Sequence, residues 1–108
     1  MKSRLVFLNK LRPDVKASDY EAFLRQYDYP KTRELLPVSS YRAVRLEARL
    51  LSAGDLPYSY AEIIDIDDLA AYKRAFTHPT PAQSELFERV FKFIDDEQYL
   101  DLYGPIIE

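Results

Sequence analysis

The sequence predicts an α+β domain in which a four-stranded antiparallel sheet carries helices on one face, in the order β-α-β-β-α-β. Three observations predict it. Four stretches alternate their side chains at the two-residue period of a strand. Between the first and second, and between the third and fourth, apolar residues recur at helical spacing. Pro, Gly and Asp gather at the joints. This order is the ferredoxin-like arrangement.

The first strand is expected over Arg4–Leu11 (RLVFLNKL), with Leu5, Phe7, Asn9 and Leu11 on one side and Val6, Leu8 and Lys10 on the other. Arg12-Pro13-Asp14 ends it, because Pro cannot donate to a sheet ladder. Ser18 and Glu21 form an S-x-x-E pattern that predicts the start of the first helix. Tyr20, Phe23, Leu24 and Tyr27 then follow the core spacing. Pro30 is expected to break or kink this helix, with a helical turn resuming over Lys31–Leu36. A second strand, long and bulged, is expected over Val38–Leu50, and a third over Tyr58–Ile66. Asp67 or Asp68 caps the next helix, which carries Leu69, Tyr72, Ala75 and Phe76. His78-Pro79-Thr80-Pro81 interrupts it, and a further helical stretch is expected from Pro81 to Asp95. The last strand is expected over Gln98–Ile106.

The 108 residues make one domain, residues 1–108, with one modest core. A net charge of −3 argues against a nucleic-acid partner, which needs a basic face. No apolar run approaches bilayer length and no signal-peptide core follows Met1, so no membrane partner and a cytoplasmic location are expected. With no Cys, the chain has no thiolate nucleophile, disulfide or thiolate metal site, and its single His cannot build a multi-histidine site. Two glycines leave no room for a dinucleotide fingerprint or a phosphate loop. Asp65, Asp67 and Asp68 lack a second oxygen-ligand group, so no metal and no cofactor are expected.

Nine of the fifteen aromatic residues are Tyr. Tyr58, Tyr60 and Glu62 share one strand face, and so do Tyr99, Asp101 and Tyr103. Such faces suit a concave surface for a flat, partly polar molecule. The sheet face not covered by helices would be a liability in a monomer. A second copy of the chain would bury it, giving a homodimer whose two sheets close into a barrel. Glu62, Asp101, Tyr60 and Tyr103 are expected on that open face. Part of the Tyr-rich face would seal the dimer, and the end near Asn9 and Asp28 would line a pocket.

Four stretches carry a family resemblance: RLVFLNKL (Arg4–Leu11), Tyr27-Asp28-Tyr29-Pro30, YSYAEIIDIDDLAAY (Tyr58–Tyr72) and YLDLYGPIIE (Tyr99–Glu108). In this order they make the chain similar to the dimeric α/β-barrel superfamily, and more narrowly to the REDY-like, or HapK-like, proteins of prodiginine biosynthesis. The resemblance implies a homodimer with a pocket between sheet and helices. It implies a role in bacterial pigment or antibiotic assembly, on a small aromatic intermediate of pyrrole or indole type. Relatives either hold such intermediates or act as cofactor-independent cyclases, dehydratases or oxygenases.

Within that frame, Asp28 is the first candidate for proton transfer, since a carboxylate desolvated beside Tyr27 and Tyr29 would titrate nearer neutrality. Its plainer role is to satisfy backbone groups at the Pro30 break. His78 is the second candidate, against a plain role as a loop residue in a helix break. Asn9 would orient the substrate through its amide or else end the strand in solvent. Phe7, Tyr27, Tyr60, Glu62 and Tyr103 complete the expected substrate-binding set. Haem-degrading relatives pair a strand-borne Asn with a helix-borne His and a Trp. Asn9 and His78 fit that pattern, but the chain has no Trp and Pro79 follows the His. A haem-degrading or cofactor-free monooxygenase is therefore the alternative activity, and a non-catalytic carrier of the intermediate is the alternative class.

Overall fold

The computed structural model describes residues 2–108. Its elements are β1 (Ser3–Leu11), α1 (Ala17–Phe23), a π-helical segment (Leu24–Asp28), α2 (Tyr29–Leu35), β2 (Ser40–Arg45), β3 (Tyr60–Ile66), α3 (Leu69–Thr77), α4 (Pro81–Val90) and β4 (Ile94–Pro105). The four strands form one antiparallel sheet in the order β2-β3-β1-β4. This is the α+β, ferredoxin-like β-α-β-β-α-β fold, with the first helical half made of α1, the π-helical segment and α2, and the second of α3 and α4.

The register sorts the side chains into rows. Asn9 lies between Tyr60 and Tyr99, Phe7 between Glu62 and Asp101, and Leu5 between Ile64 and Tyr103. Tyr41 extends the Leu5 row and Ala43 the Phe7 row. Leu5, Asn9, Tyr41, Tyr60, Glu62 and Ile64 are all buried, so these rows form the helix-covered face. The period of two then sends Val6, Leu8, Val44, Ala61, Ile63, Leu100 and Leu102 to the other face. This corrects the expected placement of the Tyr–acid residues. Tyr60, Glu62, Asp101 and Tyr103 stand on the covered side, and the open face is aliphatic, with Val44, Leu100 and Leu102 exposed.

The first helical half does not break at Pro30. Tyr20, Leu24, Asp28, Thr32 and Leu36 are all buried, a strict four-residue repeat. An α-helix makes a turn in about 3.6 residues, so a four-residue repeat drifts off one face by roughly 40° per step. The π-helical turn corrects that drift by accommodating an extra residue. Its marker is the Tyr29 backbone N–H, which donates to the Leu24 carbonyl. Pro30 follows at the start of α2, where its missing N–H is tolerated.

Other boundaries differ from expectation for local reasons. Lys16, not Ser18, precedes the first helical turn, and no side chain caps it. Glu21 instead accepts two hydrogen bonds from Arg45 across to β2, each 2.7 Å long. Asp68 caps α3 by accepting from the Ala71 N–H at 3.0 Å. Thr80 and Gln83 form a reciprocal capping box at α4, with Pro81 in its first turn. The β2 pairing stops at Arg45, and the loop onward to Tyr60 turns at Gly54, whose φ of 129° favours glycine. The helix expected to reach Asp95 ends at Val90. β4 begins at Ile94, pairing with Leu11 across a bulge.

Candidate functional site

A cavity of about 410 Å³ lies between the covered sheet face and the helical layer. Its size falls within the range of small-molecule sites. Most of the lining is apolar. Leu5 and Phe7 supply the sheet side, and Leu69, Tyr72, Leu86 and Phe87 much of the helix side. Phe76 of α3 stacks on Phe87 of α4, with ring centroids 4.3 Å apart and planes 14° apart, forming a flat aromatic wall. The rim is formed by exposed residues, where the Lys73 ammonium lies 5.3 Å from the centroid of the Tyr103 ring.

The polar groups of the interior gather around two buried carboxylates. Asp28 is held on the inner face by the π-helical turn and is 3% exposed. One of its oxygens accepts from the Thr32 hydroxyl at 2.8 Å and the other from the Tyr41 hydroxyl at 2.7 Å. Glu62 is 7% exposed and accepts from the Tyr20 hydroxyl. Among the described residues, no cation pairs with either acid, since every ion pair is made elsewhere.

Burial therefore dominates both titrations. Desolvation, with the charge of Asp28 nearby, pushes Glu62 up from 4.5 to about 7, against the hydrogen bonds that favour its anion. Desolvation also raises Asp28, and the hydrogen bonds from Tyr41 and Thr32 oppose it. Burial beside the two acids raises Tyr20, Tyr41 and Tyr72, which keeps their hydroxyls protonated as donors. Near neutral pH Glu62 is thus poised to gain or lose a proton beside a second buried acid whose proton affinity is also raised, an arrangement suited to giving and taking protons.

Asn9 sits on the central strand and is 1% exposed. It lies close enough to Glu62 and Tyr20 to favour their charged forms. Neither its amide nitrogen nor its amide oxygen completes a hydrogen bond of its own.

Of the eight residues expected at a site, five line this cavity: Phe7, Asn9, Asp28, Glu62 and Tyr103. Three do not. Tyr60 is buried, but its hydroxyl donates to Glu21 on the far side of Tyr20, outside the cavity. Tyr27 stacks on Phe23 at 5.4 Å and lies under Arg89 at 4.6 Å, turned towards α4 rather than into the cavity. His78 is exposed at the end of α3, its ring 3.0 Å from the Thr77 hydroxyl. Pro79 holds that segment out of the helix, so Asn9 and His78 are not brought together as a haem site would need.

Sequence reasoning missed Tyr20, Thr32 and Tyr41 as the hydroxyl donors to the acids. Only the Asp28–Thr32 spacing signalled one of them, since residues four apart meet on a helix face. Tyr72, Phe76 and Phe87 also line the cavity, which helical spacing alone does not announce. Among the described residues, no cluster of three or more His, Cys, Asp or Glu could hold a metal ion, and no helix is long and apolar enough to cross a membrane.

Known proteins share this fold. HapK from Hahella chejuensis superposes with a TM-score of 0.76 at 22% identity, over 99% of this chain and 93% of that one. The hydroxynitrile lyase of Passiflora edulis gives 0.74 at 14% identity, over 99% and 94%. A dimeric ferredoxin-like protein of unknown function from Thermobifida fusca gives 0.64 at 18% identity, over 98% and 92%. At these identities the likeness is one of fold. No curated protein sequence matches the chain. The family described as REDY-like protein HapK matches residues 3–100, and the chain belongs to that family.

Proposed function

We propose that this protein binds a flat aromatic intermediate of a prodiginine or related pyrrole or indole pathway. On this reading it works in the cytoplasm and promotes a cofactor-free condensation, cyclisation or dehydration of that intermediate. The observation that carries the reading is the cavity itself: aromatic and aliphatic walls converging on two buried acids, Asp28 and Glu62, which make no ion pair among the described residues. Family membership supplies the pathway class.

Loss of water from such an intermediate needs one proton delivered to the leaving oxygen and one removed from carbon or nitrogen. Asp28 and Glu62 can divide those tasks, one giving its proton to the leaving oxygen as neutral acid and the other taking the substrate proton as carboxylate, so that the pair ends with the same single proton, moved from one acid to the other. The Phe76–Phe87 wall would hold the ring, and Asn9 and Phe7 would set its position against the acids. Tyr103 and Lys73 would close the rim.

The protein acts as a homodimer in this reading, with the aliphatic open face buried against a second copy. The dimeric state of a protein with the same fold supports this.

Incubating the protein with a pyrrole or indole aldehyde and its nucleophilic partner, and following product by mass spectrometry, tests the reading. Product formation faster than in buffer, lost in Asp28→Asn, is expected. Saturable binding without product in any such pair would leave a carrier of the intermediate instead.

A further inference from the structure

We propose that the cavity selects ligands that present an N–H and a C=O side by side on one edge, the pattern of a lactam or pyridone, and that the Asn9 carboxamide reads that edge. The inference rests on the reading of the cavity as a site for a flat aromatic molecule.

Asn9 is the exception in an otherwise satisfied interior. It is 1% exposed, and both of its side-chain polar atoms are buried without a partner. These are the only such atoms among the described residues. The hydroxyls around it are already committed: Tyr20 donates to Glu62, and Thr32 and Tyr41 donate to Asp28. An unsatisfied buried amide group costs about 1–3 kcal/mol. A natural interior keeps such a group where something else completes it.

The chemistry of a carboxamide defines its complement. It offers a donor and an acceptor side by side in one plane. Another cis-amide edge answers both at once, whereas a lone ring nitrogen, ether or carbonyl answers one. Asn9 stands on central strand β1, between Tyr60 and Tyr99, so its backbone is held by two neighbouring strands. A reading group on a paired strand is placed more firmly than one on a loop.

The neighbours sharpen the preference. Glu62 and Asp28 add acceptors, which favours ligand N–H groups over further oxygens. They also oppose an anionic ligand, because a carboxylate would enter beside two acids, and among the described residues the one cation lining the cavity, Lys73, stands at the exposed rim. The Phe76–Phe87 stack asks for a planar ring next to the amide edge.

Isothermal titration of the wild-type protein with five bicyclic probes tests this. The probes are 2-quinolinone, 3-methyl-2-quinolinone, N-methyl-2-quinolinone, quinoline and quinoline-2-carboxylate. The first two keep the amide edge, and the 3-methyl compound controls for the bulk of the added methyl group. Both should bind about tenfold or more tighter than N-methyl-2-quinolinone and quinoline, with the carboxylate weakest. Asn9→Leu should bring the affinities of the four neutral probes together, with the carboxylate still weakest, while quinoline still binds. Equal affinity of the wild type for 2-quinolinone, 3-methyl-2-quinolinone and N-methyl-2-quinolinone overturns the proposal and leaves the aromatic-site reading standing. Failure of every probe to bind the folded protein overturns both. Should Asn9→Leu not fold, the wild-type affinity ratios decide alone.

Discussion

The Tyr20 hydroxyl on α1 donates to the Glu62 carboxylate on β3, joining helix and sheet in the buried interior. Tyr20 itself is 0% exposed. Glu62 is thus an acid that burial pushes towards neutrality and one phenol partly restrains. The behaviour of the site with pH follows from that pairing.

Stability should fall as pH rises through the Glu62 titration. The folded-state value of about 7 exceeds the ordinary 4.5, so the folded protein holds this proton more tightly than the unfolded chain. The contribution is complete below the ordinary value and is lost as pH rises through the folded one. It amounts to about 3 kcal/mol over that window. Asp28, also raised, acts in the same direction. Urea unfolding between pH 4.5 and 8 should show the decline in the wild type and a much flatter profile in Glu62→Gln.

Tyr20→Phe removes a donor to the Glu62 anion. The Glu62 midpoint should move further up, and unfolding above pH 7 should become easier by about 1–3 kcal/mol. Below pH 5, where Glu62 is protonated, the variant should lie closer to wild type. An equal loss at both pH values would show that packing alone is affected.

Asp28→Asn keeps the shape of the side chain and removes the acid. On the proposed chemistry, turnover should drop by about 10²–10⁴-fold while substrate affinity changes little. Single-turnover kinetics and equilibrium titration separate the two effects. Unchanged turnover would remove Asp28 from proton transfer.

Charging the open sheet face should part the dimer without touching the cavity floor. Val44 and Leu100 are exposed there by 47% and 40%. Val44→Lys with Leu100→Lys should sediment as a 12.7 kDa monomer at concentrations where the wild type is a dimer, with its secondary structure intact. A wild type that is itself monomeric would show that this face has another use.

Element order and fold were legible because alternation and helical spacing are properties of short stretches. Which face of the sheet the helices cover is not such a property. Tyr60, Glu62, Tyr99 and Tyr103 formed a visible set in the sequence, but Ala61, Ile63, Leu100 and Leu102 formed its equally regular complement. Only the packing of helices against one of the two decides between them. Asp28 was legible as an unusual acid beside Pro30. Its true neighbours were not, because a period of 3.6 puts Tyr27 inward and the π-helical turn restores the four-residue repeat through Asp28 and Thr32. Tyr41 reaches Asp28 from a strand in the sheet, a pairing that no local spacing announces. His78 drew notice because it is the only imidazole, and the turn before Pro79 leaves it at the surface.

The central claim is that a ligand enters the cavity and meets the buried acid pair. Carbon-13 NMR titration of the Glu62 carboxyl, with and without saturating indole-3-carboxaldehyde, tests it most directly. The account predicts a midpoint of about 7 in the free protein, lost in Glu62→Gln, and a clear displacement of that midpoint when the ligand binds. A midpoint near 4.5 that the ligand leaves unmoved would contradict it.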